Sequence, residues 1–143
     1  MVATAESCTG GMIAAALTDA PGSSAVVERG FVTYANEAKA EMLGIPMVLI
    51  ENHGAVSGEV ARAMALGAIK YSRASLAASV TGIAGPTGGS TDKPVGLVWF
   101  GLAGRNGLRR VERRVFAGGG RHYVRAKATE TALRLLMAGL SAR

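Results

Sequence analysis

The chain contains one cysteine, four prolines and 5% aromatic residues among its 143 residues. A single cysteine, Cys8, cannot form an internal disulfide and offers no zinc-ligand spacing. The two histidines, His53 and His122, are too isolated to suggest a metal site. No charged segment leads into an apolar core at the start, so no signal peptide is expected. Long hydrophobic runs are missing as well. The longest stretch without a charged residue, Ala74 to Thr91, is 18 residues. It contains Gly82, Gly85, Pro86, Gly88 and Gly89, which a continuous membrane helix does not tolerate. The expected location is therefore the cytoplasm, with no membrane contact. Acidic charge is scarce in one region only. Arg105 to Arg143 holds ten basic and two acidic residues, whereas the preceding residues hold six basic and eight acidic.

What is present is largely apolar. Hydrophobic residues make up 49% and charged residues 18%, a balance that argues against disorder and for a packed core. The length suits one domain, 1–143, and no repeat or Ser/Pro linker suggests a boundary. Twenty glycines stand out, most of them clustered.

Val2 to Glu6 reads as a short strand that runs through Ser7-Cys8-Thr9-Gly10-Gly11 into a buried, all-round apolar helix from Met12 to Thr18. Val26 to Tyr34 reads as a second strand. Asn36 is the expected N-cap of a helix from Glu37 to Leu43, which Gly44 and Pro46 stop. Ser57 is placed to cap a helix from Gly58 to about Ser72, with Val60, Met64, Ala68 and Tyr71 on its apolar stripe. Leu76 to Val80 has the composition of a central strand. Val95 to Leu102 and Leu108 to Phe116 form a hairpin across Asn106-Gly107. A last helix from about Arg121 to Leu140 presents Val124, Ala128, Thr131 and Leu135. Helices alternating with strands, plus one antiparallel hairpin, define an α/β protein. The expected architecture is a three-layer α/β/α sandwich around a mixed, mostly parallel sheet.

Three segments can carry chemistry. In Ser7 to Gly11, the start of a helix leaves backbone N–H groups for an oxyanion or a phosphate, and Ser7 is placed as a nucleophile. The plainer reading has Ser7 or Thr9 simply capping the helix. In Tyr34 to Lys39, a lysine in a first helical turn is disfavoured as a cation by the helix dipole, and by burial if it is buried. Both effects suit a general base. A solvated Lys39 paired with Glu37 or Glu41 is the alternative. The third segment, Thr81 to Gly89, leaves the end of the central strand, where ligands sit in open α/β sheets. It carries Gly82, Gly85, Gly88 and Gly89, and Lys93 follows closely enough to meet an anion. Cys8 reads as a small buried thiol. The arginines at 109, 110, 113 and 114 read as guards of an edge strand rather than as a nucleic-acid surface, since no aromatics are interleaved with them.

Together these segments closely resemble the CinA C-terminal domain family. The resemblance rests on Thr4 to Gly11, on Gly30-Phe31-Val32-Thr33-Tyr34 with Asn36 and Lys39, and on His53-Gly54-Ala55-Val56-Ser57. Thr81-Gly82-Ile83-Ala84-Gly85-Pro86 and Lys93-Pro94-Val95-Gly96 complete it, so it spans essentially the whole chain. Family members include nicotinamide-nucleotide amidohydrolases, which convert nicotinamide mononucleotide to nicotinate mononucleotide and ammonia. The resemblance implies Ser7 as nucleophile, Lys39 as base, and Tyr34 and Thr81 as orienting groups. It also implies substrate binding by Thr9, Gly10, Gly11, Thr81, Gly82, Gly85, Gly88 and Gly89, with backbone N–H groups from Thr9 to Gly11 facing the oxyanion or the phosphate. No metal or other cofactor is implied. The expected partner is a pyridine nucleotide, and the edge hairpin makes a homodimer the expected assembly. A non-catalytic nucleotide-binding module with the same pocket is the alternative.

Overall fold

The computed structural model describes residues 1–142. Five strands, β1 (Val2–Glu6), β2 (Val27–Val32), β3 (Leu76–Gly82), β4 (Leu97–Gly104) and β5 (Arg109–Val115), form one sheet in the order β2-β1-β3-β4-β5. β1 pairs in parallel with β2 and β3, while β4 pairs antiparallel with β3 and β5. Only β4 therefore runs against the other strands. Five helices cover the sheet: α1 (Met12–Thr18), α2 (Asn36–Leu43), α3 (Met47–His53), α4 (Gly58–Lys70) and α5 (Gly120–Ser141).

Strand alternation divides the core in two. Ala3, Ala5, Phe31, Ala77 and Ala103 pack under α2, α3 and α4. Val2, Leu76, Ala78, Val80, Val98, Phe100 and Leu102 face α1 and α5. The small residues on the first face let α4 lie close to the sheet. Ser79 there donates its hydroxyl to the Ala61 carbonyl at 2.5 Å. Covered on both faces, β1 and the first six residues of β3 are buried throughout, as a central strand requires.

Several boundaries differ from the sequence reading, each for a local reason. α1 is not a buried helix. Only Ile13 is buried, and Ala15 and Ala16 face solvent, where alanine serves as a good helix former rather than as core. Asn36 is not a cap but the first helical residue of α2. The N-cap position is Ala35, and no side chain caps this helix. Gly44 alone caps the end of α2, and Pro46 is the N-cap of another helix, α3, a position where a backbone N–H has no intrahelical partner to lose. Tyr71 lies past the end of α4 and is exposed. On α5, Thr131 is only half-buried and turns its hydroxyl back to Lys127, while Ala132 fills the core position. β4 starts two residues later than expected because the Leu97 N–H closes a turn onto the Pro94 carbonyl.

The parallel pairing brings the ends of β1, β2 and β3 out side by side. Ser7 leaves β1 with its N–H on the Val80 carbonyl, and the Thr33 N–H leaves β2 on the Glu6 carbonyl. Three of the segments singled out by sequence thus meet at one edge of the sheet.

Candidate active site

Ser7 begins the turn between β1 and α1. Gly10 and Gly11 sit at φ 58° and 107°, a left-handed pair that folds the chain back tightly enough for α1 to start at Met12. Ser7 is almost fully buried, 8% exposed, at the foot of that turn.

The turn is organised by Glu6, a carboxylate with no solvent exposure. It accepts hydrogen bonds from the Thr9 hydroxyl at 2.7 Å and the Thr4 hydroxyl at 3.3 Å. The backbone N–H groups of Gly11, Ile13 and Ala14 donate to it at 3.2, 2.9 and 2.9 Å. A helix N-terminus attracts an anion, and here the protein supplies that anion itself. The Gly10 N–H is also engaged, on the Ser7 carbonyl. The donors of Gly10 and Gly11 expected to face a ligand are therefore bonded internally, and so is the Thr9 hydroxyl. Among the described residues, the Cys8 and Thr9 N–H groups, directly after Ser7, are the ones in this turn with no carbonyl or carboxylate acceptor, that of Cys8 facing its own thiol.

Lys39 reaches the same point from α2. Its Nζ lies 3.1 Å from Ser7 Oγ, 2.9 Å from the Thr33 carbonyl and 3.0 Å from the Tyr34 carbonyl. At 1% exposure it is not the solvated lysine of the alternative reading, and among the described residues no carboxylate pairs with it. Burial holds its pKa below the usual 10.5, against a smaller opposing effect of nearby Cys8 and Glu37. A neutral amine has two N–H donors and one lone pair. Two carbonyls and one hydroxyl around Nζ match that inventory, with the lone pair left for the serine proton. The neighbouring thiol takes no such role. Burial pushes Cys8 up to about 11, so it stays protonated near neutral pH.

The remaining sequence candidates divide. Tyr34 meets Lys39 through its backbone carbonyl, while its ring is exposed with the hydroxyl 3.4 Å from Arg121. Thr81 donates its hydroxyl to the Ala55 carbonyl at 2.8 Å, tying the 53–57 loop to the end of β3. Gly82 ends β3, where a side chain would press on Val98 and the Leu97 carbonyl. Gly85 is buried and offers its carbonyl to Arg121, while Gly88 and Gly89 lie on the exposed part of the loop. Lys93 bonds the His53 carbonyl at 2.7 Å.

Sequence reasoning missed three residues. Glu6 was read as a strand residue. A carboxylate ending a strand just before a Gly-Gly turn into a helix is the signal that could have found it. Arg121 and Arg125, at i and i+4 on α5, both face the site. Arg125 donates to the Cys8 carbonyl at 3.0 Å and the Thr9 carbonyl at 3.4 Å, and Arg121 to the Gly85 carbonyl at 2.8 Å. A cleft of about 540 Å³ lies between the start of α4 and the β4–β5 hairpin, lined by Ser57, Arg62, Trp99 and Arg113 among others. Neither Ser7 nor Lys39 lines it, so the reactive pair rather than cavity size marks the candidate active site.

A mixed five-stranded sheet between two helical layers, with a buried serine–lysine pair at the shared ends of its parallel strands, defines a recognisable class. The model of the CinA C-terminal domain matches residues 1–140, and the chain belongs to that family. It is 54% identical over 135 residues to the Escherichia coli K12 protein named nicotinamide-nucleotide amidohydrolase PncC, covering 94% of this chain and 81% of that protein. It is also 52% identical over 140 residues to a CinA-like protein of Mycobacterium marinum, covering 98% of this chain and 33% of that one. Among solved structures, the competence/damage inducible protein CihA of Agrobacterium tumefaciens superposes with a TM-score of 0.95 at 53% identity, covering 96% of this chain and 84% of that chain.

Proposed function

We propose that residues 1–143 act as one amidohydrolase domain that deamidates nicotinamide mononucleotide to nicotinate mononucleotide and ammonia. The observation that carries the reading is Lys39 Nζ at 3.1 Å from Ser7 Oγ, in a buried setting that favours the free amine. The similarity to the Escherichia coli amidohydrolase, spread over 94% of the chain, supports the choice of substrate.

In this mechanism Ser7 Oγ attacks the carboxamide carbon while Lys39 Nζ takes the hydroxyl proton. The carbonyl oxygen becomes an oxyanion, met by the N–H groups of Cys8 and Thr9. Collapse of the tetrahedral species breaks the C–N bond as Lys39 returns its proton to the leaving nitrogen, releasing ammonia and leaving a nicotinoyl ester on Ser7. Water then attacks the ester with Lys39 again as base, giving the carboxylate and restoring the serine. The carbonyls of Thr33 and Tyr34 hold Nζ in line throughout, and Glu6 holds the turn that presents Ser7. A homodimer is part of the same proposal, since Val111 and Val115 are exposed on the hairpin; analytical ultracentrifugation reads it directly.

The test is to incubate purified protein with nicotinamide mononucleotide and follow ammonia and nicotinate mononucleotide together. Equimolar release is expected, falling roughly 10⁴-fold or more in Ser7→Ala. Absence of release, or equal release by Ser7→Ala, refutes the reading.

A further inference from the structure

Ser7 has a hydroxyl on either side of it. The parallel ladders pair Glu6 with Val32 and with Val80, and the Thr33 and Ser7 N–H groups extend them by one step, onto the Glu6 and Val80 carbonyls. The next row across the sheet is therefore Thr33, Ser7 and Thr81. Strand alternation places these three hydroxyls on the face of Ala5 and Phe31, the face from which Lys39 arrives. Two of them are engaged. Ser7 meets Lys39, and Thr81 donates to the Ala55 carbonyl at 2.8 Å. Thr33 is different. It has no solvent exposure, and among the described residues its Oγ1 is the buried hydroxyl oxygen without a hydrogen-bond partner. Burying a hydroxyl unpaired costs about 1–3 kcal/mol, and a valine of the same shape avoids that cost. Such a group in a native core calls for a partner. The deamidation cycle brings one. Ammonia departs from beside Lys39 Nζ, which has just protonated it, and water must enter the same place to reach the ester with Lys39 again as base. Thr33 borders that place, since its own carbonyl accepts from Nζ at 2.9 Å. Neighbouring strands lie about 4.8 Å apart, too far for the Thr33 and Ser7 hydroxyls to bond directly. One water bonded at about 2.8 Å on each side bridges such a gap.

We propose that the Thr33 hydroxyl holds the water that hydrolyses the acyl-enzyme. The proposal rests on the deamidase reading for its substrate. Thr33 Oγ1 accepts one hydrogen of the water, and the other hydrogen faces Lys39 Nζ. The water oxygen bonds to the ester carbon while its proton passes to Nζ. The tetrahedral species then collapses, the bond from carbon to Ser7 Oγ breaks, and Nζ returns the proton to Oγ. Formation of the ester needs no water, so loss of the Thr33 hydroxyl slows the second half of the cycle alone.

The experiment follows ammonia release from nicotinamide mononucleotide by rapid mixing in the wild type, Thr33→Val and Thr33→Ser, with intact mass spectrometry of the quenched protein. Thr33→Val should release one equivalent of ammonia per site at the wild-type rate, then turn over about tenfold or more slowly. The quenched Thr33→Val protein should carry the acyl group, and Thr33→Val/Ser7→Ala should not. Thr33→Ser keeps the hydroxyl and should show no burst. Thermal denaturation separates this effect from damage to the fold. The Tm of Thr33→Val should match or exceed that of the wild type, because no hydroxyl is left unpaired. Unchanged steady-state turnover, a slowed burst, or a lowered Tm with no acyl-enzyme overturns the proposal. p-Nitrophenyl acetate makes the test independent of the amide substrate, since it acylates an active serine directly. The acetyl group should persist longer on Ser7 of Thr33→Val than on Ser7 of the wild type. That result upholds the role of Thr33 even if the wild type releases no ammonia. Equal lifetimes overturn it, and so does a wild type that takes an acyl group from neither compound.

Discussion

Glu6 and Lys39 are both buried and both titratable, yet their surroundings are opposite. Glu6 accepts from five donors, three of them backbone N–H groups near the start of α1. These bonds pin the turn to the carboxylate. Lys39 meets only neutral oxygens, and its burial, not those contacts, disfavours the charged form. Glu6 thus fixes the shape of the turn, while Lys39 is held against Ser7 by neutral groups. Glu6→Gln puts an NH₂ group where only acceptors are wanted, so stability should fall by about 2–3 kcal/mol. Thermal denaturation should show this as a Tm drop of roughly 5–10 °C. The sequence pointed to Ser7 and Lys39 because the resemblance tied them to one site; local chemistry alone favoured a capping serine and a solvated lysine. Glu6 escaped notice because three of its five donors are backbone groups, which leave no trace in residue identity. Tyr34 was singled out as a residue, while its contact with Lys39 is made by its backbone carbonyl.

Elements set the distance between the reactive groups. Ser7 is carried by β1 and Lys39 by α2, and α2 is located by its packing on α4. Gly67 of α4 is the contact point, where a Cβ would overlap the Leu43 carbonyl at the end of α2. Backbone cannot give way as the tip of a side chain can. Gly67→Ala should therefore cost about 1–3 kcal/mol, measurable by urea denaturation, and should lower deamidase activity by displacing Lys39. Most elements could be read from periodicity and caps. The Ser57 cap was right in detail, with its hydroxyl accepting the Val60 N–H at 3.3 Å. So was the Asn106-Gly107 hairpin. α3 was missed because Pro46 reads as a terminator although it also precedes a helix, and α1 was overestimated because alanine does not reveal which way it faces.

For the whole molecule, the formal charge of +6 and its concentration after residue 104 pose the question of a polyanionic partner. The structure shows where much of that charge is directed. Arg105 caps the carbonyls of Ile69, Ser72 and Ala74, and Arg109 those of Gly104 and Leu108. Arg110 and Arg114 flank Glu112, and Lys127 and Arg134 flank Glu130. These engaged side chains do not form an open track for a phosphate backbone. Binding of duplex DNA should therefore be undetectable by gel shift at physiological salt, since non-specific affinity needs many unpaired cations acting together. Among the described residues no helix is long and apolar enough to cross a membrane. The layered α/β/α order was legible from the alternation of elements. The arginines facing the site were not, because a count of charge does not say which positive groups face inward.

The central claim is that Lys39 serves Ser7 as a base in its neutral form. The sign of the pH dependence follows from its lowered pKa. Below that pKa the ammonium cannot accept the serine proton, and above it the amine can. The decisive measurement is kcat/KM for ammonia release across pH in the wild type and in Lys39→Ala. The wild type should rise with pH to a plateau, with a midpoint clearly below 10.5, and lose activity as pH falls through it. Lys39→Ala should lose this limb and be about 10²–10⁴-fold slower on the plateau. A Lys39→Ala enzyme that keeps both the limb and the rate would contradict the account.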